Sequence, residues 1–149
     1  MAVGKVTVLD VALRKIGSGA IDLDSDAFKV ALLGPDQAID AAFVGASGEA
    51  RFVDLTDEVS GPGYAAGGLA LANVTWARAA AVVTFNADAV TWSSLDATVK
   101  YAVIYKATGA GDILAFFDID DAQPGGRIIS GSDFTINWQS AIFTLTRVD

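Results

Sequence analysis

The side chains of this chain that could do chemistry are chiefly its acids. Asp22, Asp24 and Asp26 alternate within GAIDLDSDAFKVALLG, residues 19–34. An EF-hand-type calcium loop opens in this way, with oxygen ligands at positions one, three and five. It then requires glycine at position six and a bidentate glutamate at position twelve. Counted from Asp22, those positions hold Ala27 and Leu33. The triplet therefore reads as a polar turn leading into a buried strand, with a weak calcium site completed from elsewhere as the alternative. A second cluster, Asp118, Asp120 and Asp121, sits where ILAFFDI runs into a Gly/Pro turn. Carboxylates there read as turn caps, with a divalent ion as the alternative.

Glycoside hydrolysis needs one desolvated and one ionised carboxylate, a few ångströms apart. Glu49, Asp54, Asp57 and Glu58 qualify by residue type alone, and a solvated acidic surface is the expectation. Gly17-Ser18-Gly19 follows a helical pattern rather than a strand, and no Gly-Lys-Ser/Thr appears, so it is not read as a phosphate loop. The chain has no cysteine and no histidine. Thiol nucleophiles, Cys/His zinc sites, disulfides and histidine-based triads are excluded. No catalytic residue, cofactor or metal is expected. Trp76, Trp92 and Trp138 could stack on sugar rings, but Trp92 and Trp138 occupy strand-pattern positions where core or subunit-interface packing is expected.

The elements that would position these residues are mostly strands. Val6, Leu9, Leu13 and Ile16 recur at helical spacing and predict a short helix over 8–16, ended by Gly17-Ser18-Gly19. FKVALL, 28–33, reads as a strand closed by Gly34-Pro35. Residues 35–68 are irregular, with a helical turn expected over Asp36–Phe43. A segment of that length is expected to be functional or interface-forming. Strands follow over 69–76, 81–85, 89–92, 98–106, 112–119, 126–130, 133–138 and 141–146. In 98–106 both faces are apolar, so that strand is expected to be central and buried on both sides. The pattern predicts a single domain, 1–149, that is mainly β: an antiparallel β-sandwich, jelly-roll-like, with a short N-terminal helix.

Apolar residues make up 52% of the 149 and charged residues 19%. Mean hydropathy is +0.44. A small domain has little core in which to hide that much apolar surface, so an oligomer or a docked subunit is expected. No apolar run reaches the roughly 20 residues of a membrane-spanning helix, so no membrane partner is expected. The net charge of −8 repels phosphate backbones, so nucleic acid is not expected as a partner. The N-terminal stretch lacks a long apolar run with a small-residue cleavage site, so no signal peptide is expected. The Asn73-Val74-Thr75 sequon falls within a predicted strand and is read as chance.

Five pieces along the chain, in order, carry a resemblance. They are Ile21-Asp22-Leu23-Asp24; Glu58-Val59-Ser60-Gly61 with Gly63-Tyr64; Phe85 with Val90-Thr91-Trp92; Tyr101-Ala102-Val103 with Tyr105-Lys106; and Ile136-x-Trp138 followed by Ile142-Phe143-Thr144-Leu145. In order and spacing, from about residue 13 to 146, the chain resembles a family of small virion structural proteins of tailed bacteriophages. The resemblance implies a non-enzymatic capsid decoration (cement) protein on the outer surface of the head. Its implied partner is the major capsid protein, its implied state a homo-trimer, and its implied location the virion, after synthesis in the bacterial cytoplasm. The alternative is a tail-fibre or receptor-binding module for host glycan. Residues 34–52 match no motif of the family. The expected contact residues are Val3, Val6 and Val8 near the N-terminus, and Phe43, Phe52, Val53, Leu55 and Val59 in the irregular region.

Overall fold

The computed structural model describes residues 5–148, so the expected contact residue Val3 lies outside the described part. The fold is mainly β, and every strand pairing among the described residues is antiparallel. A central sheet runs in the order β1 (Thr7–Val8), β8 (Ile113–Asp118), β7 (Tyr101–Lys106), β2 (Phe28–Leu33), β3 (Leu69–Ala70). A smaller sheet has the order β10 (Phe143–Thr146), β5 (Val82–Asn86), β4 (Thr75–Ala79). A long ribbon pairs β6 (Val90–Val99) with β9 (Arg127–Ile136). This grouping gives sandwich-like layers. By itself it does not reproduce the eight strands and two Greek keys of a jelly roll.

The central strands are apolar on both sides because both faces of the sheet are covered. Val30, Ala31, Leu32, Ala102, Val103 and Ile104 have no exposed surface. Cross-strand register sets Leu32, Ala102 and Phe117 in one row, with Phe28 on the same face. That face meets the smaller sheet through Phe28 and Phe85, edge-on at 5.4 Å. It meets the segment after β9 through Phe117 and Trp138, at 5.6 Å. Tyr105 lies opposite Lys29, on the other face, where Phe52 stacks on it at 4.2 Å. Phe52 belongs to the irregular region, so that region forms the second cover.

Backbone bonds show its route. The Asp10 N–H donates to the Ala41 carbonyl, and the Ile113 N–H to the Ala50 carbonyl. Gly34 and Val59 then donate to Asp57 and Leu32, which brings the segment back to the edge of β2. A stretch without periodicity thus acts as a wall of the core.

Several boundaries differ from expectation. The helix α1 is Asp10–Ser18, with Leu9 at its N-cap and Gly19 in the left-handed region at φ 82°. It buries Ala12 and Lys15, while Leu13 is half exposed. Lys15 replaces an apolar anchor: its ammonium lies 2.6 Å from Asp112 Oδ1 and 2.7 Å from the Glu49 carbonyl. The predicted strand 69–76 is split, because Asn73 turns the chain at φ 52°. The predicted pairs 89–92/98–106 and 126–130/133–138 are divided differently. β6 and β9 each run ten residues through compensating irregularities at Ser93–Ser94 and Gly131. Extra residues on both strands keep the register and sharpen the local twist. Residues 36–43 form two separate turns rather than a helical turn.

Candidate functional site

Each acid cluster proves to be built into the fold. Asp22 Oδ1 accepts the N–H groups of Asp24 and Ser25, and Asp26 Oδ2 accepts the Asp22 N–H. Asp26 also pairs with Lys106 at 3.1 Å. The Ser25 hydroxyl and then the Asp24 N–H hold the Asp22 carboxyl below the usual carboxylate range. The triplet is a self-capped turn that points its chain into β2, as its sequence implied. Asp118 and Asp120 likewise cap the N–H groups of Asp120 and Ala122. Between them sits Lys100, whose buried ammonium pairs with Asp118 at 2.7 Å and donates to the carbonyls of Asp120 and Gln123. Among the described residues no three metal-ligating side chains stand together.

The four carboxylates of the irregular region are engaged too. Glu49 binds Lys15 and Arg14, and those contacts, Lys15 first, hold it below the usual range. Asp54 accepts from the Ser47 hydroxyl and the Arg51 N–H, and the Ser47 bond is the main cause of its lowered value. Asp57 Oδ2 accepts the Asp36 N–H. Glu58 Oε1 accepts the Tyr64 hydroxyl at 2.7 Å and the Gly67 N–H at 2.6 Å. Tyr64 also accepts the Leu32 N–H, and Tyr105 donates to the Gly67 carbonyl. These bonds fasten the loop before β3 to the edge of β2. The arrangement holds chain segments together rather than presenting an acid and a base to a cleft.

Those tyrosines lead to a prediction. Burial pushes Tyr105 up to about 12, and burial with the bond to Glu58 pushes Tyr64 up as well. A raised folded value favours the neutral phenol in the fold. Its contribution is complete below the unfolded value of about 10 and is lost as pH rises through the folded values. In a phenolate absorbance titration, two of the three tyrosines should stay neutral past pH 10 and ionise together with unfolding. Ionisation of Tyr64 and Tyr105 near pH 10 in folded protein would contradict the Glu58–Tyr64 network.

Trp92 and Trp138 are 2% and 3% exposed, packed on Phe134 and Phe117. Two of the three tryptophans are therefore withdrawn from any sugar platform. Of the expected contact residues, Val6, Val8, Phe43, Phe52, Leu55 and Val59 are partly buried and pack against the core. Val53 is 63% exposed.

The surface the sequence reading passed over is the smaller sheet. On β4 and β5 the register places Trp76 opposite Phe85 and Arg78 opposite Val83; β10 adds Leu145 opposite Val83. Arg78, Val83, Leu145 and Arg147 line an open groove of about 280 Å³. Trp76, farther along β4, lines a notch of about 200 Å³ with Ile16, Gly19, Ile21, Asp22 and Leu23. Residues 74–86 and 138–148 contain two arginines and no acid, in a chain of net charge −8. An acid-free stretch of that length was the available signal. This sheet presents apolar side chains, arginine and strand edges, which suits it to protein contact. No family model, no curated protein and no solved structure matches this chain.

Proposed function

We propose that the chain is a non-enzymatic virion subunit of a tailed bacteriophage, a decoration protein that binds the outer head surface and bridges major capsid proteins. The reading rests on the ordered motifs between residues 13 and 146. One structural observation supports it. The carboxylates with the residue types for catalysis are spent on caps, ion pairs and loop anchors, while apolar side chains such as Val53, Ile128 and Leu145 remain at the surface. A subunit of this kind does its work by contact. Apolar burial and added strand pairing would raise the cost of separating capsomers, and an acidic exterior avoids non-specific hold on nucleic acid.

The test is direct. Full-length protein added to expanded phage shells lacking their decoration should bind saturably, at a fixed copy number and at discrete sites in a cryo-EM reconstruction. Protein that leaves such shells bare at saturating concentration would refute the reading. A glycan-dependent attachment to host cells would favour the tail-fibre alternative.

A further inference from the structure

The open edge of β4 has a definite hydrogen-bonding phase. The Arg147 N–H donates to the Ala81 carbonyl, continuing the register in which Thr146 faces Val82. Backbone groups alternate sides along an antiparallel strand. Ala81, Val83 and Phe85 therefore turn theirs to β10, and Val82, Thr84 and Asn86 turn theirs to β4. Their partners Ala79, Ala77 and Thr75 are spent on β5. The N–H and C=O groups of Trp76 and Arg78 point outward, at the edge of the sheet.

Exposed edges are usually blocked by proline, a bulge or charge. β4, Thr-Trp-Ala-Arg-Ala, has no proline and no register shift, and its one charge is Arg78. We propose that β4 is a self-pairing edge, which joins a second copy of this chain antiparallel about a two-fold axis through Ala77. In that register Trp76 of each copy lies opposite Arg78 of the other, and all four outward backbone groups on each strand find partners. The adjacent self-registers pair only one of the two residues with itself, and one of them opposes Arg78 to Arg78.

The side chains fit the same register. Trp76 and Arg78 lie on one face of β4, two residues apart. Opposed residues on that face meet across about 5 Å. The second copy's guanidinium thus arrives over the Trp76 indole, a favourable cation–π arrangement. There it enters the notch whose remaining wall includes Asp22. Indole, apolar walls and an exposed carboxylate together complement an arginine. The absence of acids from residues 74–86 keeps carboxylate repulsion out of the paired strands. The contact is isologous, each copy giving the other what it receives.

The chain has no cysteine, so single-cysteine variants report the register cleanly. At Ala77 the two copies would form a non-hydrogen-bonded pair with Cα atoms about 4.5 Å apart, within disulfide range. At Ala79 the two copies' residues would lie about 14 Å apart, four strand positions of about 3.3 Å along the strand and about 5 Å across. Under mild oxidation, Ala77→Cys should cross-link at least about tenfold faster than Ala79→Cys, because pairing raises the local thiol concentration. In sedimentation, unmodified protein should show a concentration-dependent species of twice 15.3 kDa. Arg78→Pro, which removes an outward N–H and no ladder bond, should abolish that species at unchanged circular dichroism. Equal cross-linking of the two cysteine variants would overturn the proposal. So would a monomer at every concentration, or a trimer untouched by Arg78→Pro. None of these measurements involves shells, so the pairing and the virion reading stand or fall separately.

Discussion

Gly68→Ala should destabilise the protein by about 3–5 kcal/mol, the range of severe backbone and packing conflicts. Gly68 has φ 74° and lies against β2 where Leu69 pairs with Val30. A Cβ there would overlap the Val30 carbonyl oxygen and sit 2.7 Å from its carbon. Both neighbours are backbone inside the central sheet, so neither can swing aside as a flexible side chain would. Gly48 separates the two causes. Its φ is 72°, but a Cβ would meet nothing within 4 Å. Gly48→Ala should therefore cost only the conformational part, about 1 kcal/mol. Urea midpoints of the two variants measure the difference. Equal losses would mean that β3 does not press on β2 as described.

The second large effect belongs to Lys100. Its side chain is 7% exposed, and its ammonium meets the Asp118 carboxylate and two carbonyls in the turn after β8. Lys100→Met should cost about 3 kcal/mol, the lower end for breaking a buried pair, because Asp118 is 31% exposed and recovers some hydration. Adding Asp118→Leu should restore part of the loss by removing the stranded carboxylate. Asp121→Asn, on an exposed residue of the same turn, should change stability by less than about 0.5 kcal/mol. If Lys100→Met and Asp121→Asn have the same denaturation midpoint, Lys100 does not organise the turn.

Some of this architecture was legible because the physics acts locally. FKVALL was bounded correctly at both ends: an apolar run buried on two faces ends sharply at Gly34-Pro35. The inner position of β7 followed from apolar residues on both of its faces, and the core fate of Trp92 and Trp138 from their places on strand patterns. The helix was displaced because spacing weighed Val6 and Leu13 as anchors, whereas burial selected Ala12 and an ion-paired Lys15. β6 and β9 were each broken near Ser93–Ser94 and Gly131 because a bulge uses the same small residues that end a strand. The covering role of the irregular region left no periodic trace, since its attachments are backbone bonds, ion pairs and apolar side chains such as Phe43, Phe52, Leu55 and Val59 at irregular spacing. Arg78 passed unnoticed because a lone arginine among alanines has no spacing to read. Its significance lies in the phase of a strand edge, which only the sheet supplies.

The pairing of β2 with β7 also sets the order in which the molecule can assemble. Residues 28–33 find their partners at 101–106, and β1 at 7–8 finds its own at 115–116. Until the ribosome has released β7, the apolar strand FKVALL has only the two-residue β3 beside it, and residues 34–68 have no sheet to cover. Such distant closures are entropically costly and slow. The nascent chain therefore carries exposed strand edges through most of its synthesis. Its most vulnerable period is its synthesis, when chaperones can decide the yield.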